Sequence, residues 1–312
     1  MKNFFFAPLS PAIFGWFRIA TGLLALWLCA TLFPGLYLVY GQHGLVIWEV
    51  ADSLVSPVQP TMGRLYNLLG GAIGPDTLLY TFFGMYVVVL LLFTLGWKTR
   101  LMAILAWLMH LTLMNTCRFG SYGVESMLHL ALFYAIFFPC GATFSMDSRG
   151  KMPAPPDGYA RLCLRVLQFQ MCIVYLSAGF EKCFGAEWWD GNAIWYSLNE
   201  EQFRQFDFSW LAQTPWIAKL MGWWTLLIEC GYAFALWIPR LRRFWLANTI
   251  LLHLGIGLFM GLHAFAAMMI ILNLSAFALA AYPTATATLL SIRWPAGWSP
   301  SFSTDSTPIL KN

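Results

Sequence analysis

Charge is scarce in this sequence. Asp, Glu, Lys and Arg supply 10% of its 312 residues while hydrophobic types supply 59%, whereas soluble domains carry roughly a quarter charged residues. That balance excludes a soluble globular domain and, with a net charge of only +4, gives no support to nucleic-acid binding. Paired cysteine motifs are missing as well. Cys29, Cys117, Cys140, Cys163, Cys172, Cys183 and Cys230 contain no CxxC and mostly fall in apolar runs, where cysteine behaves as a small buried hydrophobe, so neither a disulfide framework nor a zinc site is expected. No HExxH, GxSxG, Walker or GxGxxG pattern occurs in a suitable context, and no carboxylate or histidine set has metal-ligand spacing. Hydrolase, nucleotide-binding and metalloprotease readings fall away with them. The N-terminal run MKNFFFAPLSPAIFGWFRIATGLL lacks a small-residue cleavage site and reads as a retained first helix. Internal repeats and a separate soluble domain are also absent.

What is abundant is apolar sequence of membrane-spanning length, with a mean hydropathy of +0.65. A span needs about 20 apolar residues to cross about 30 Å of hydrocarbon. Eight stretches qualify: 11–34, 77–97, 100–117, 124–141, 160–181, 217–238, 244–260 and 264–283. The fold class is therefore all-α, a polytopic membrane helix bundle with both termini on one side. Placing the termini in the cytoplasm gathers Lys2; Lys98 and Arg100; Arg149, Lys151, Arg161 and Arg165; Arg240, Arg242 and Arg243; and Arg293 and Lys311 on that side. The outer side receives only Arg64, Arg118, Lys182, Arg204 and Lys219, spread over longer loops, which is the asymmetry that orients membrane proteins.

Two of the outer loops are long. Residues 35–76 include Tyr40, His43, Glu49 and Asp52, and residues 183–216 carry Trp188, Trp189, Trp195, Trp210 and Trp216 around a GAEWWDG turn. Tryptophan at that density favours the headgroup level, so the second loop is expected to lie over the bundle as a lid. The tail 285–312, with Pro295, Pro300 and Pro308 among serines and threonines, reads as a poorly ordered cytoplasmic segment after a transmembrane domain of residues 1–284.

Ionisable groups inside spans are costly and usually face a cavity or a partner. Here they are Arg18, His110, Arg118, Glu125, His129, Lys182, Glu229, His253 and His263. Gln168, Tyr175 and Lys182 recur every seven residues and form a polar stripe on one face of the fifth span. The plainer alternative has Gln168 and Tyr175 bonding neighbouring helices while Lys182 snorkels to headgroups. Glu125 and His129 share a face of the fourth span, where the carboxylate can pair with Lys182 or Arg118. His253 and His263 can both reach an outer cavity, although lone histidines also serve as packing residues; His110, near mid-span, fits a structural role. Arg18 can snorkel to the cytoplasm or lock the bundle, and Glu229 lies deeper and needs a partner.

Several blocks match, in order, those of a known family. They are Arg18, Ala20 and Gly22; LGWKTR at Leu95–Arg100; FSMD at Phe144–Asp147; AGFEKCFGAEWWDG at Ala178–Gly191; and HLGIGLFMGLHAF at His253–Phe265. The chain resembles the HTTM superfamily over residues 10–280, and in particular the transmembrane domain of its vitamin K-dependent gamma-carboxylase members. In those enzymes the lysine of the AG-x-x-K helix deprotonates reduced vitamin K, which reacts with oxygen to give a base that removes a glutamate γ-proton. Lys182 occupies that lysine's position, and His253 matches a late-span histidine. Glu125 falls where the carboxylase has a histidine, and the carboxylase's large C-terminal propeptide-binding domain has no counterpart here. The bacterial sporulation-delaying protein B, needed to mature an exported peptide toxin, is similar in the membrane core, and DoxX-like quinone-linked proteins are similar at lower specificity.

The resemblance implies a membrane enzyme of the bacterial inner membrane, a lyase or quinol-dependent catalyst whose site faces the periplasm or exterior. Lys182 is the expected base, Glu125 and His253 stabilise charge, and Tyr175, Trp188, Trp189 and His263 contact a reduced quinone such as vitamin K hydroquinone. A secreted peptide or protein, or a lipid, is the expected substrate. A noncatalytic accessory role in peptide export or maturation remains open beside it, with Lys182 binding a carboxylate or headgroup. A transporter has less support, since no inverted repeat or pair of corresponding broken helices is visible.

Overall fold

The computed structural model describes residues 2–152 and 154–279; the tail 285–312, with Arg293 and Lys311, and the end of the eighth expected span lie outside the described residues. Each of the eight apolar stretches corresponds to a helix. They are α1 (Ala12–Leu32), α2 (Pro75–Leu95), α3 (Thr99–Thr116), α4 (Gly123–Phe137), α5 (Gly158–Phe184), α6 (Pro215–Ala235), α7 (Pro239–Met260) and α8 (His263–Asn273), the last continued by a π-turn over Leu274–Ala278. Among the described residues there are no strands. Among the described residues, four segments are long and apolar enough to cross a membrane: Ala12–Tyr40, Pro75–Leu95, Gly158–Phe184 and Pro239–Met260.

Helix boundaries follow local chemistry. Proline opens α2, α6 and α7, where its missing N–H costs nothing. Gly96 and Gly261 close α2 and α7 in the left-handed conformation that glycine adopts without Cβ strain. The Asp157 carboxylate caps α5 by accepting from the Ala160 N–H at 2.7 Å. The fourth helix stops at Phe137, four residues short of the expected 141, because Pro139 forces Phe138 into an extended conformation (ψ 150°).

Helices α1 to α4 pack in sequence order and α5 to α7 form a second group, with α5 against α6 the most extensive pair. The eighth helix joins the groups, contacting α1, α4 and α7 while its π-turn meets α5. Large apolar side chains such as Leu23, Leu91, Ile173, Leu227, Leu251 and Leu258 remain exposed on the helix exteriors, as expected of an integral membrane protein whose solvent there is lipid.

At one end of the bundle three of the sequence blocks form a single knot. Arg18 does not snorkel: it is 0% exposed. Its guanidinium donates to the carbonyls of Cys140 and Phe144, to Thr143 at 3.3 Å and to Thr94 at 3.4 Å. Those are chain-end and loop carbonyls with no helical partner, so the side chain acts as a lock rather than an anchor. Gly96 passes so close that a Cβ there would lie 2.9 Å from the guanidinium carbon. The Asp147 carboxylate then caps α3, accepting from the Lys98 and Thr99 N–H groups, each at 2.8 Å, and from the Thr99 hydroxyl at 2.7 Å. Partial burial opposes ionisation of Asp147, but these donors outweigh it and hold the carboxyl below its ordinary value.

Candidate functional site

The end of α5 lies close against the middle of α6 because Gly179 has no side chain there. A Cβ on Gly179 would meet the Cys230 Sγ at 2.8 Å and its backbone nitrogen at 2.9 Å. That approach brings the Lys182 Nζ to 2.8 Å from Glu229 Oε2, with side chains 24% and 10% exposed. Glu229 thus finds the partner that its depth demands. The ammonium also sits 5.2 Å from the centre of the Trp188 ring, within cation–π range, and 3.5 Å from the Ala178 carbonyl.

About two and four turns below, at Tyr175 and Gln168, the polar stripe of α5 continues into a buried hydrogen-bond network. Gln168 donates to the Ala276 carbonyl at 2.7 Å, where the π-turn follows α8. Tyr175 stacks on Tyr232 with ring centres 4.0 Å apart, and its hydroxyl lies 2.6 Å from His253 Nε2. Asn273 fixes the direction of the whole chain. Its amide nitrogen must donate to the Met269 carbonyl at 2.8 Å and so also donates to the Tyr175 oxygen at 2.8 Å, while its Oδ1 accepts from the Tyr232 hydroxyl at 2.7 Å. With its oxygen occupied, Tyr175 directs its own proton to His253 Nε2. His253 Nδ1 is then the protonated nitrogen, buried and without a partner among the described residues.

The tryptophan segment is clamped to α6 instead of floating above it. It forms the short helices Ala186–Asp190 and Asn192–Asn199, joined at Gly191 with φ 90°. A Cβ on Gly191 would fall 2.5 Å from the Lys219 nitrogen, so only glycine permits this contact. The Trp189 indole donates to the Cys183 carbonyl at 2.9 Å, and the Trp223 indole donates to the Trp189 carbonyl at 3.0 Å.

Not every expected site residue joins this group. Lys182 and Tyr175 on α5 cluster with Trp188 of the short helix Ala186–Asp190 and His253 of α7, Trp189 braces the segment behind them, and His263 is an exposed residue opening α8. Glu125 belongs to another cluster. It pairs with neither Lys182 nor Arg118; its carboxylate accepts from the Tyr122 N–H at 2.9 Å and so caps its own helix. Its carbonyl lies 3.2 Å from His110 Nε2, while His110 Nδ1 lies 3.1 Å from the Tyr86 hydroxyl and the ring stacks on His129. Phe265 contacts both His253 and the start of α4 at Gly123. Asn273, Tyr232 and the Glu229 partnership were not singled out by sequence reasoning; Asn273 and Tyr232 are ordinary bundle residues until α8 is placed beside α5. The described cavities lie elsewhere: one of about 330 Å³ beside Arg100, Asp147 and Lys151, and an apolar one of about 410 Å³ beside Pro60, Leu65 and Met109.

The HTTM domain family matches residues 6–279, most of the chain and all of the cluster just described. The chain belongs to the HTTM family. No curated protein and no solved structure matches it. In this HTTM protein the shared sequence blocks resolve into two structural units, the Arg18 knot at one end and the Lys182 cluster at the end of α5.

Proposed function

We propose that this HTTM protein is an integral membrane enzyme of the bacterial inner membrane in which Lys182 acts as base toward a reduced, quinol-like lipid cofactor, on a peptide or lipid substrate. The observation that carries this reading is the Lys182–Glu229 pair at 2.8 Å beside the Trp188 ring. In the proposed orientation both termini are cytoplasmic and the pair faces the periplasm, following the lysine and arginine bias.

The residues present suit an aromatic hydroxylated ring. The Trp188 indole offers a flat face, Lys182 a proton acceptor once neutral, and His253 Nδ1 an orphaned buried donor. When bound, a reduced quinone supplies an acidic hydroxyl and two-electron reducing power. To accept a proton, Lys182 first passes one to Glu229 Oε2, giving a neutral amine and a neutral carboxylic acid, a change that water exclusion favours over the separated charges. Tyr175 and Asn273 hold His253 in the tautomer that donates from Nδ1. Trp188 and the clamped segment shield the amine from water.

Anaerobic titration of the purified protein with a short-chain naphthoquinol, read by tryptophan fluorescence, tests the reading. Saturable quenching is expected, weakened at least ~10-fold by Lys182→Ala or Trp188→Ala, since a buried hydrogen bond to a charged group contributes about 1.5–3 kcal/mol. Quenching that never saturates, or is unchanged in both variants, sinks it. Lys182→Arg separates base from binding: it keeps the charge but not the proton transfer, and a positioned base contributes ~10² to 10⁴ in rate. An accessory role in peptide export or maturation is favoured by one observation, the exposed aromatic outer segment that includes Phe184, Trp210 and Trp216. Full function in Lys182→Arg with loss in Lys182→Ala would select that role.

A further inference from the structure

The two residues that follow the ion-pair partners are both cysteines, and their sulfurs touch. Cys183 Sγ on α5 lies 3.6 Å from Cys230 Sγ on α6, and both residues are partly exposed. The other five cysteines are free and buried, without a sulfur contact among the described residues. The close helix approach at Gly179 sets this pair face to face on neighbouring helices.

We propose that Cys183 and Cys230 form a thiol–disulfide couple, a redox modification site that takes small disulfide oxidants and staples α5 to α6 beside Lys182. Closing the sulfurs from contact to a bond of about 2.05 Å needs a movement of about 1.5 Å, which side-chain rotation on adjacent helices supplies. The Cys183 thiolate attacks one sulfur of the oxidant disulfide and expels one thiolate. The Cys230 thiolate then attacks the Cys183 sulfur and expels the second half. Two protein thiols give up two protons and two electrons, one S–S bond forms and one breaks, and the oxidant leaves as two thiols. Cys183 is the entry point, since it closes the exposed end of α5 beneath the Trp189 indole, while Cys230 lies within α6 as the resolving partner.

The consequence is positional. Lys182 and Glu229 immediately precede the two sulfurs, so the oxidised form ties the backbones that carry the ion pair and the reduced form lets them separate. The couple is independent of any reaction at Lys182.

Glutathione disulfide added to the purified full chain in detergent is the direct probe, followed by alkylation and peptide mapping without reductant. A cross-linked peptide pair containing Cys183 and Cys230 is expected, with alkylation of both falling at least ~10-fold and recovering on reduction with a phosphine. Cys183→Ser should abolish the cross-link, and Cys230→Ser should trap a glutathione adduct on Cys183. Because the wild-type map is decisive alone, poor folding of either variant does not rescue the proposal. Separate glutathione adducts on the two cysteines, a cross-link through any other cysteine, or no oxidation of monodisperse protein would overturn it.

Discussion

At the scale of single residues, the chain handles buried charge in two different ways. Arg18 is matched to four carbonyl oxygens and no carboxylate, so its charge is solvated by the backbone ends it gathers. Lys182 is matched to a carboxylate, and Glu229 Oε2 has the ammonium as its partner. Removing one member of such a pair is worse than removing both, because the survivor keeps its desolvation cost without its counter-charge. Glu229→Gln should therefore destabilise the protein by about 1 to 3 kcal/mol. The double variant Lys182→Met/Glu229→Leu should be less destabilised than the sum of the two single changes. A double-mutant cycle of thermal unfolding in detergent measures the difference, and strict additivity would mean that the pair contributes nothing. Asp147 gives the pH signature. Its folded carboxyl sits below its ordinary value, so its stabilisation is complete at neutral pH and is lost as the pH falls through that lowered value. Asp147→Asn should lower the unfolding temperature at pH 7 and converge with wild type in acid; a difference that persists unchanged at pH 3 would contradict this assignment.

At the scale of elements, close approach between helices depends on side chains that are missing. Gly179 on α5 leaves room for Cys230, and Gly191 lets the tryptophan segment lie against Lys219. Gly179→Val should force α5 from α6, with a cost of about 1 to 3 kcal/mol from overpacking and a break in the Lys182–Glu229 contact. Gly191→Ala faces both a positive φ and a backbone clash, so it should release the segment over 186–199 without unfolding the bundle. Limited proteolysis reads this as faster cleavage there than in wild type at equal thermal stability; equal cleavage rates would show that the clamp does not depend on glycine. These effects were only partly legible in the sequence. Glycine is visible as a letter, but whether it serves a turn, a crossing or nothing depends on the element it meets.

For the whole molecule, α8 is the organising element, since it touches α1, α4 and α7 and brings Asn273 to Tyr175 and Tyr232. The division of the shared blocks between a knot at one end and the Lys182 cluster at the end of α5 predicts sidedness. In a Cys183→Ser/Cys230→Ser background, a cysteine at Gln202 should react with an impermeant maleimide on intact cells, whereas one at Lys151 should react only after lysis. Both positions are exposed, so reversed labelling would place the cluster in the cytoplasm and remove the periplasmic assignment.

The sequence alone determined the solvent. With 10% charge and eight apolar stretches, no water-soluble arrangement could hide the hydrophobic surface, so an all-α bundle followed from the need to satisfy backbone groups within lipid. Helical periodicity also put Gln168, Tyr175 and Lys182 on one face, and each does meet a polar partner across that face. Partner choice was decided only by tertiary structure. Glu125 and Glu229 both carry a carboxylate within apolar sequence, and nothing local distinguishes which one reaches Lys182. Glu125 lies in the first turn of α4, where its own helix N-terminus satisfies it. Glu229 lies where Gly179 lets α6 approach α5 closely, and distance across that crossing, a property of two helices at once, selected it.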